Sequence, residues 1–279
     1  MTNLDAFFCV ACGLQHAPAE RPPAGCTICL DDRQYVPVAG QQWTTLAELR
    51  RTHRNVLAPV EPGLTSVRTD PAFAIHHSAM LFETPEGNVL WDCNALVDDA
   101  TVTAVRQRGE VAAIAVSHPH FYTGMVEWSR ALGGVPIHLH AADARWIARP
   151  DPAIALWDRT PPKLPGGLAL VHTGGHFPGS QVLHWPAGAG GRGAIFVGDD
   201  PSVCADRRWV TFMHSFPNYV PLGAAAAERV AAALRPLAFD RIYGWRPELV
   251  IAEDAQACVE RSLERHLAAL AGRHGATAA

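Results

Sequence analysis

No run of some 18 apolar residues occurs in the chain, so a membrane-crossing helix is not expected. The opening Met1-Thr2-Asn3-Leu4-Asp5 lacks the basic and apolar regions of a signal peptide, and a cytoplasmic location is expected. Basic excess is also missing. A net charge of −4 gives no electrostatic footprint for nucleic acid, so neither a nucleic-acid nor a membrane partner is expected. No internal repeat is apparent.

What the chain does have is a large apolar fraction, 48% of 279 residues, enough to bury a sizeable core in one α/β body with a small appendage. It also has seven cysteines, unevenly spread. Four are paired early, as Cys9-Val10-Ala11-Cys12 and Cys26-Thr27-Ile28-Cys29, while Cys93, Cys204 and Cys258 are scattered. Two CxxC knuckles at this separation match a tetrahedral zinc site, because each knuckle lets two thiolates grip one ion. Two disulfides would need an oxidising compartment that nothing in the sequence suggests. Gly13 and the Pro22-Pro23-Ala24-Gly25 stretch supply tight turns, and so small a core needs a metal to fold. His16 is a stand-in ligand by type, but with four cysteines at hand it reads as a solvated loop residue.

The chain is therefore divided into a four-cysteine zinc ribbon over 1–35, a connector over 36–68 and a larger domain over 69–279. The connector carries a short helical pattern from Thr45 to His53, then Pro59, Pro62 and Gly63. Beyond it, Ala79–Thr84 and Val89–Asp92 flank Pro85-Glu86-Gly87-Asn88 and predict a hairpin. Apolar runs predict strands over 111–116, 135–140, 168–172, 181–185, 194–197 and 240–243, with helices over 98–108, 124–132, 223–234 and 254–270.

Directly after the strand Val111–Val116 comes Ser117-His118-Pro119-His120-Phe121-Tyr122-Thr123-Gly124, which puts two imidazoles where a buried strand ends. Downstream, glycines on both sides of His176 in Thr173-Gly174-Gly175-His176-Phe177-Pro178-Gly179-Ser180 let the backbone turn that ring toward a ligand. A further strand ends in Gly198-Asp199-Asp200. Three histidines and one or two aspartates at strand ends are a ligand set for a divalent metal.

The order and wording of these segments resemble the metallo-β-lactamase-fold superfamily, from about Asp70 to Ile251. The quoted residues are Asn88-Val89-Leu90-Trp91-Asp92, then His118-Pro119-His120, then Gly175-His176-Phe177-Pro178-Gly179-Ser180, then Gly198-Asp199. The resemblance implies an α+β fold, a four-layered αββα sandwich preceded here by the small zinc ribbon. It also implies metal ligation by His118, His120, His176 and Asp199. The departures all concern a second metal. Tyr122 stands where the family places Asp, Thr123 where it places His, and Trp245 where the last His would be. A mononuclear site follows, with the hydroxyl of Thr123 and the second carboxylate of Asp200 leaving a weak second site open.

One catalytic zinc with an open position would serve hydrolysis of an ester, lactone or thioester of a small molecule, with Asp199 and Tyr122 as catalytic residues. Asp199 would orient the attacking water or act as general base, and Tyr122 would donate to the developing oxyanion or pack in place of the missing metal. A mononuclear non-haem iron site on His118, His176 and Asp199, as in persulfide dioxygenases of the superfamily, is a rival reading. A third is a structural or interaction protein with a degenerate site. The ribbon would then dock a partner; on an enzyme such a ribbon would serve as a lid or as the contact of a homodimer. His138 and His140 lie on one strand face and read as structural or rim residues. His76, His77, His172, His184, His266 and His274 read as structural or surface. His214, among aromatic and proline neighbours, is a candidate substitute ligand or lid contact.

Overall fold

The computed structural model describes residues 4–273, and His274 lies outside them. The chain divides into two compact units, Met1–Gly166 and Gly167–Ala279.

The first unit begins with the ribbon, whose scale shows in its pairing. Strand Phe8–Cys9 pairs antiparallel with Trp43–Thr44, two residues against two. Its knuckles are built alike: the Gly13 N–H reaches the Cys9 carbonyl at 2.8 Å, and the Leu30 N–H reaches the Cys26 carbonyl at 3.0 Å. Cys9 and Cys29 place their sulfurs 3.6 Å apart, and Cys12 and Cys26 theirs 3.5 Å apart. Those spacings are too long for disulfides, and all four cysteines are free. They approach the edge of about 3.8 Å that a tetrahedron of sulfurs at zinc–sulfur distance would have. The donor set therefore fits a closed structural metal site. Gln41 adds a bridge across it, donating from Nε2 to Cys9 Sγ at 2.9 Å and accepting the Cys26 N–H on Oε1 at 3.3 Å. Hydrogen bonds from Cys12, Cys29 and Cys9 hold the Cys26 thiol far below its usual range, so one sulfur readily carries the negative charge a cation would meet. His16 departs from the solvated reading. It is buried with its ring edge-on to Trp43 at 4.9 Å, because the short ribbon has few other groups to cover its sulfurs.

The segment read as a connector contains the helix Leu46–Thr52, capped by Thr45 Oγ1 accepting the Glu48 N–H at 3.3 Å. It continues into the hairpin Arg54–Glu61 and Leu64–Asp70. That hairpin starts a seven-stranded sheet, continued by Ala79–Phe82, Asn88–Trp91, Val111–Ala115, Ile137–His140 and Ile154–Trp157 in that spatial order. The first pairings are antiparallel, and the last three are parallel. Central parallel strands are covered on both faces, and Val111–Ala115, buried at every residue but Ala112, reads as an unbroken apolar run. The crossover helices follow their own signals. Asp98 caps Asp99–Arg106 by accepting the Thr101 N–H at 2.8 Å, and Met125–Ala131 starts after Gly124.

The second unit has a five-stranded sheet in the order Ala169–His172, Gln181–Trp185, Ala194–Phe196, Arg241–Tyr243, Val250–Ile251. The helices Ala224–Leu234 and Ala255–Leu270 present Val230, Leu234, Val259 and Leu263 to a core shared with Ile195, Phe212 and Ile242. Each such side chain contributes roughly 1.5–3 kcal/mol by leaving water. This core holds the strand ends that carry His176 and Asp199.

Replacing Cys26 by Ser removes one sulfur from the closed set. The full chain is expected to lose one metal equivalent and ~3 kcal/mol or more of stability, in the upper tail of single-substitution effects. Elemental analysis with thermal unfolding checks this, and an unchanged melting temperature would remove the ribbon metal's structural role.

Candidate metal centre

The carboxyl ends of parallel strands are where an open α/β sheet leaves a crevice, and His118 is found at such an end. Asp92 follows Asn88–Trp91 in the left-handed region, φ 58°, with its N–H on the Ala115 carbonyl at 2.8 Å. Its Oδ1 accepts the Ser117 N–H of the adjacent strand at 2.7 Å. The buried carboxylate thus joins two neighbouring strand ends and fixes the point where the histidine loop departs. Ser117 Oγ lies 2.9 Å from His118 Nδ1. A short 3₁₀ turn over Pro119–Phe121 follows, closed by the Phe121 N–H on the His118 carbonyl at 3.0 Å. It brings the His118 and His120 rings to 5.2 Å, both buried. Phe121 backs His118 at 4.5 Å and is itself stacked on His77 at 4.0 Å.

His176 is held by a loop that Ser180 ties together. The Ser180 carbonyl accepts the N–H groups of Thr173 and Gly174 at 2.9 and 3.1 Å, and Ser180 Oγ accepts the Phe177 N–H at 2.9 Å. His172 closes the same loop from Nε2 to the Pro178 carbonyl at 2.7 Å. Fully buried, His176 directs Nδ1 at the Met213 carbonyl, 2.9 Å away. A carbonyl only accepts, so Nδ1 carries the proton and Nε2 presents a lone pair, the orientation expected of a metal-binding imidazole. Asp199 Oδ2 stands 3.9 Å from that Nε2. This is beyond hydrogen-bonding distance and suits two donors converging on a third atom.

His118, His120, His176 and Asp199 form one group whose ligand atoms all lie within 4.8 Å of one another. Among the described residues it and the four-cysteine set are the two groups able to hold a metal. Three imidazoles and a carboxylate fit a divalent transition metal with a position open to substrate.

The two residues offered for a weak second site both hold backbone groups. Thr123 donates its hydroxyl to the Cys93 carbonyl, and Asp200 Oδ2 accepts the Gly175 N–H at 2.7 Å. Asp200 therefore orients the backbone beside His176, a role the sequence left hidden because Gly-Asp-Asp offers two equivalent carboxylates. Tyr122 is buried, and burial first and Asp143 second push its hydroxyl well above the usual phenol range. Trp245 lies under the Arg246 guanidinium at 4.4 Å. His138 is half-buried, with its pKa lowered by desolvation, and His140 meets the Trp157 ring edge-on at 4.8 Å. Neither they nor His214 on Met213–Ser215 belong to the metal-holding groups of the described residues.

Gly175 is needed for close approach rather than for its backbone angle. A Cβ there would press on both Asp200 carboxylate oxygens and on Val230 Cγ2. Gly175→Ala is expected to cost about 1–3 kcal/mol of stability and to weaken metal retention at the histidine group, since overpacking must displace the loop. Thermal unfolding and equilibrium dialysis against zinc check both effects. Unchanged retention would remove this loop from the site.

No family model matches the chain. Among solved structures it resembles a metallo-β-lactamase of Cronobacter sakazakii, at TM-score 0.52 and 18% identity over 82% of this chain and 98% of that one. It also resembles MEM-A1, a subclass B3 metallo-β-lactamase from a soil metagenome library, at TM-score 0.54 and 20% identity over 77% of this chain and 97% of that one. These likenesses show the fold: it is the α+β, αββα fold of the metallo-β-lactamases, here with a four-cysteine ribbon at its start. A sequence relative, the uncharacterised protein YmaE of Bacillus subtilis strain 168, is 42% identical over 266 residues, 95% of this chain and 96% of that protein. The chain belongs to the family of YmaE, and its fold is that of the metallo-β-lactamases.

Proposed function

We propose that the protein is a hydrolase that holds one zinc ion on His118, His120, His176 and Asp199 and cleaves an ester, lactone or thioester of a small molecule. The observation that carries this is the convergence of three buried imidazoles and one carboxylate within 4.8 Å. Zinc bound there supplies a water of lowered pKa and a Lewis acid for the acyl carbonyl.

The chain's own groups do the rest. The Met213 carbonyl holds the proton of His176 on Nδ1 and keeps the ring turned to the site. Asp199, the most exposed ligand at 12%, orients the attacking water and accepts its proton. Tyr122, next to the 3₁₀ turn that carries His120, offers an O–H donor to the carbonyl oxygen as charge develops on it. The residues Tyr122, Thr123 and Trp245 supply no carboxylate or imidazole for a second ion, which supports one metal rather than two. All seven cysteines are free, which supports a reducing, cytoplasmic compartment.

Elemental analysis of the purified protein is the first test. Two zinc equivalents per chain are expected, one for each group. His176→Ala should leave one and lower hydrolysis of a small aryl ester by more than the ~100-fold that loss of a ligand's supporting partner costs. Iron at the second equivalent with oxygen consumption would replace the hydrolase by a persulfide-dioxygenase reading. Full activity after His176→Ala would remove catalysis from this site.

A further inference from the structure

We infer that the four-cysteine ribbon positions the His118–His120 loop, and that Thr123 is the positioning residue through which it acts. This rests on the reading of His118 and His120 as ligands.

A continuous set of contacts runs through the first unit from ribbon to loop. Gly13 sits in the turn of the first knuckle at φ 84°, with its N–H on the Cys9 carbonyl. A Cβ built on it would lie 3.1 Å from Thr123 Cγ2 and 3.2 Å from Ala74 Cβ, so the knuckle backbone lies directly against the Thr123 methyl. Thr123 holds that position by donating its hydroxyl to the Cys93 carbonyl. The same carbonyl accepts from His77 Nε2 at 2.7 Å. His77 stacks on Phe121 at 4.0 Å with 15° between the planes, and Phe121 contacts the His118 ring. Cys12, Gly13, His77 and Thr123 all line one small cavity, so the ribbon faces the loop's supporting residues there.

A second contact fixes the ribbon next to the loop's other end. Gln15 Nε2 donates to Glu127 Oε1 at 3.2 Å, and Arg149 pairs with the same oxygen at 2.5 Å. Glu127 is in the first turn of the helix Met125–Ala131, which begins two residues after Thr123. The chain thus uses the position where the superfamily resemblance expects a second-metal histidine as a mechanical contact. A residue shaped by the four-cysteine site on one side and by the Cys93 carbonyl on the other can set where His118 and His120 point.

The test uses the full chain with both metals loaded. Thr123→Ser keeps the hydroxyl and removes the methyl that meets Gly13. Zinc affinity at the histidine group, measured by competition with a colorimetric chelator, is expected to fall about tenfold, the low end for loss of a supporting contact. Amide exchange at Phe121 and Tyr122 should accelerate, while the ribbon's zinc equivalent and the melting temperature stay as in the parent. A merely structural threonine would move the melting temperature and leave affinity and local exchange alone. Cys26→Ser should shift exchange in the same direction and further, whereas Val38→Ser, on a fully exposed side chain, should shift nothing. Unchanged exchange at Phe121 and Tyr122 in both Thr123→Ser and Cys26→Ser would overturn the inference. Failure of the parent to bind zinc beyond the ribbon's ion would sink the metal reading instead, and faster exchange in Thr123→Ser would still show the ribbon positioning the loop.

Discussion

Burying imidazoles is the constraint on which the rest of the structure depends. His118, His120 and His176 are each at most 3% exposed, and a buried polar ring is costly unless its nitrogens are engaged. Ser117 Oγ meets that cost for His118, and the Met213 carbonyl meets it for His176. Those partners must themselves be held. The Asp92 carboxylate pins Ser117, and Asp200 with Ser180 pins the loop of His176. The chain therefore commits two aspartates to backbone N–H groups near the site and leaves Asp199 to the ligand group. Of three acidic residues at strand ends, Asp92 and Asp200 accept backbone N–H groups, and Asp199 is the one that joins the histidines in the candidate metal group.

The ribbon obeys a different constraint. Its strands are two residues long and its buried apolar side chains few, so conformational entropy would outweigh its core without a cross-link. Four sulfurs at tetrahedral spacing provide one, and Gln41 and His16 cover them. The two donor sets differ in softness. A closed thiolate set favours zinc and excludes substrate, whereas imidazoles with a carboxylate leave a coordination position for reaction. One chain can thus carry a structural and a reactive metal without exchange of roles.

Much of this was legible from residue patterns because the signals are local. The CxxC knuckles, the apolar run before His118 and the Gly-His-Phe-Pro-Gly-Ser stretch each declare themselves within ten residues. The hairpin Arg54–Glu61 and Leu64–Asp70 did not. Its first strand is an edge with no fully buried residue, and Pro59 and the Pro62-Gly63 turn mimic a linker. The strand Ile154–Trp157 was hidden in a proline-rich stretch for the same reason, since it closes the other edge. The pairs Ser202–Val203 with Val210–Thr211 and Met213–Ser215 with Val220–Pro221 are too short to carry a period, and only their partners define them. His16 was misplaced because burial in a ribbon is set by what the sulfurs need, not by the hydropathy of its neighbours.

Tyr122 and Thr123 stand where the superfamily resemblance places ligands of a second metal, and Thr123 has another use. A divalent ion needs negative charge or lone pairs directed at it, and a buried phenol and a hydroxyl committed to a carbonyl supply neither in adequate number. The Thr123 methyl instead meets the first knuckle, 3.1 Å from where a Cβ on Gly13 would stand. The contact works only because residue 13 lacks a side chain and residue 123 is small. Ribbon and histidine loop are therefore matched in shape at one point, and a side chain added at residue 13 would have to displace the Thr123 methyl or the knuckle backbone.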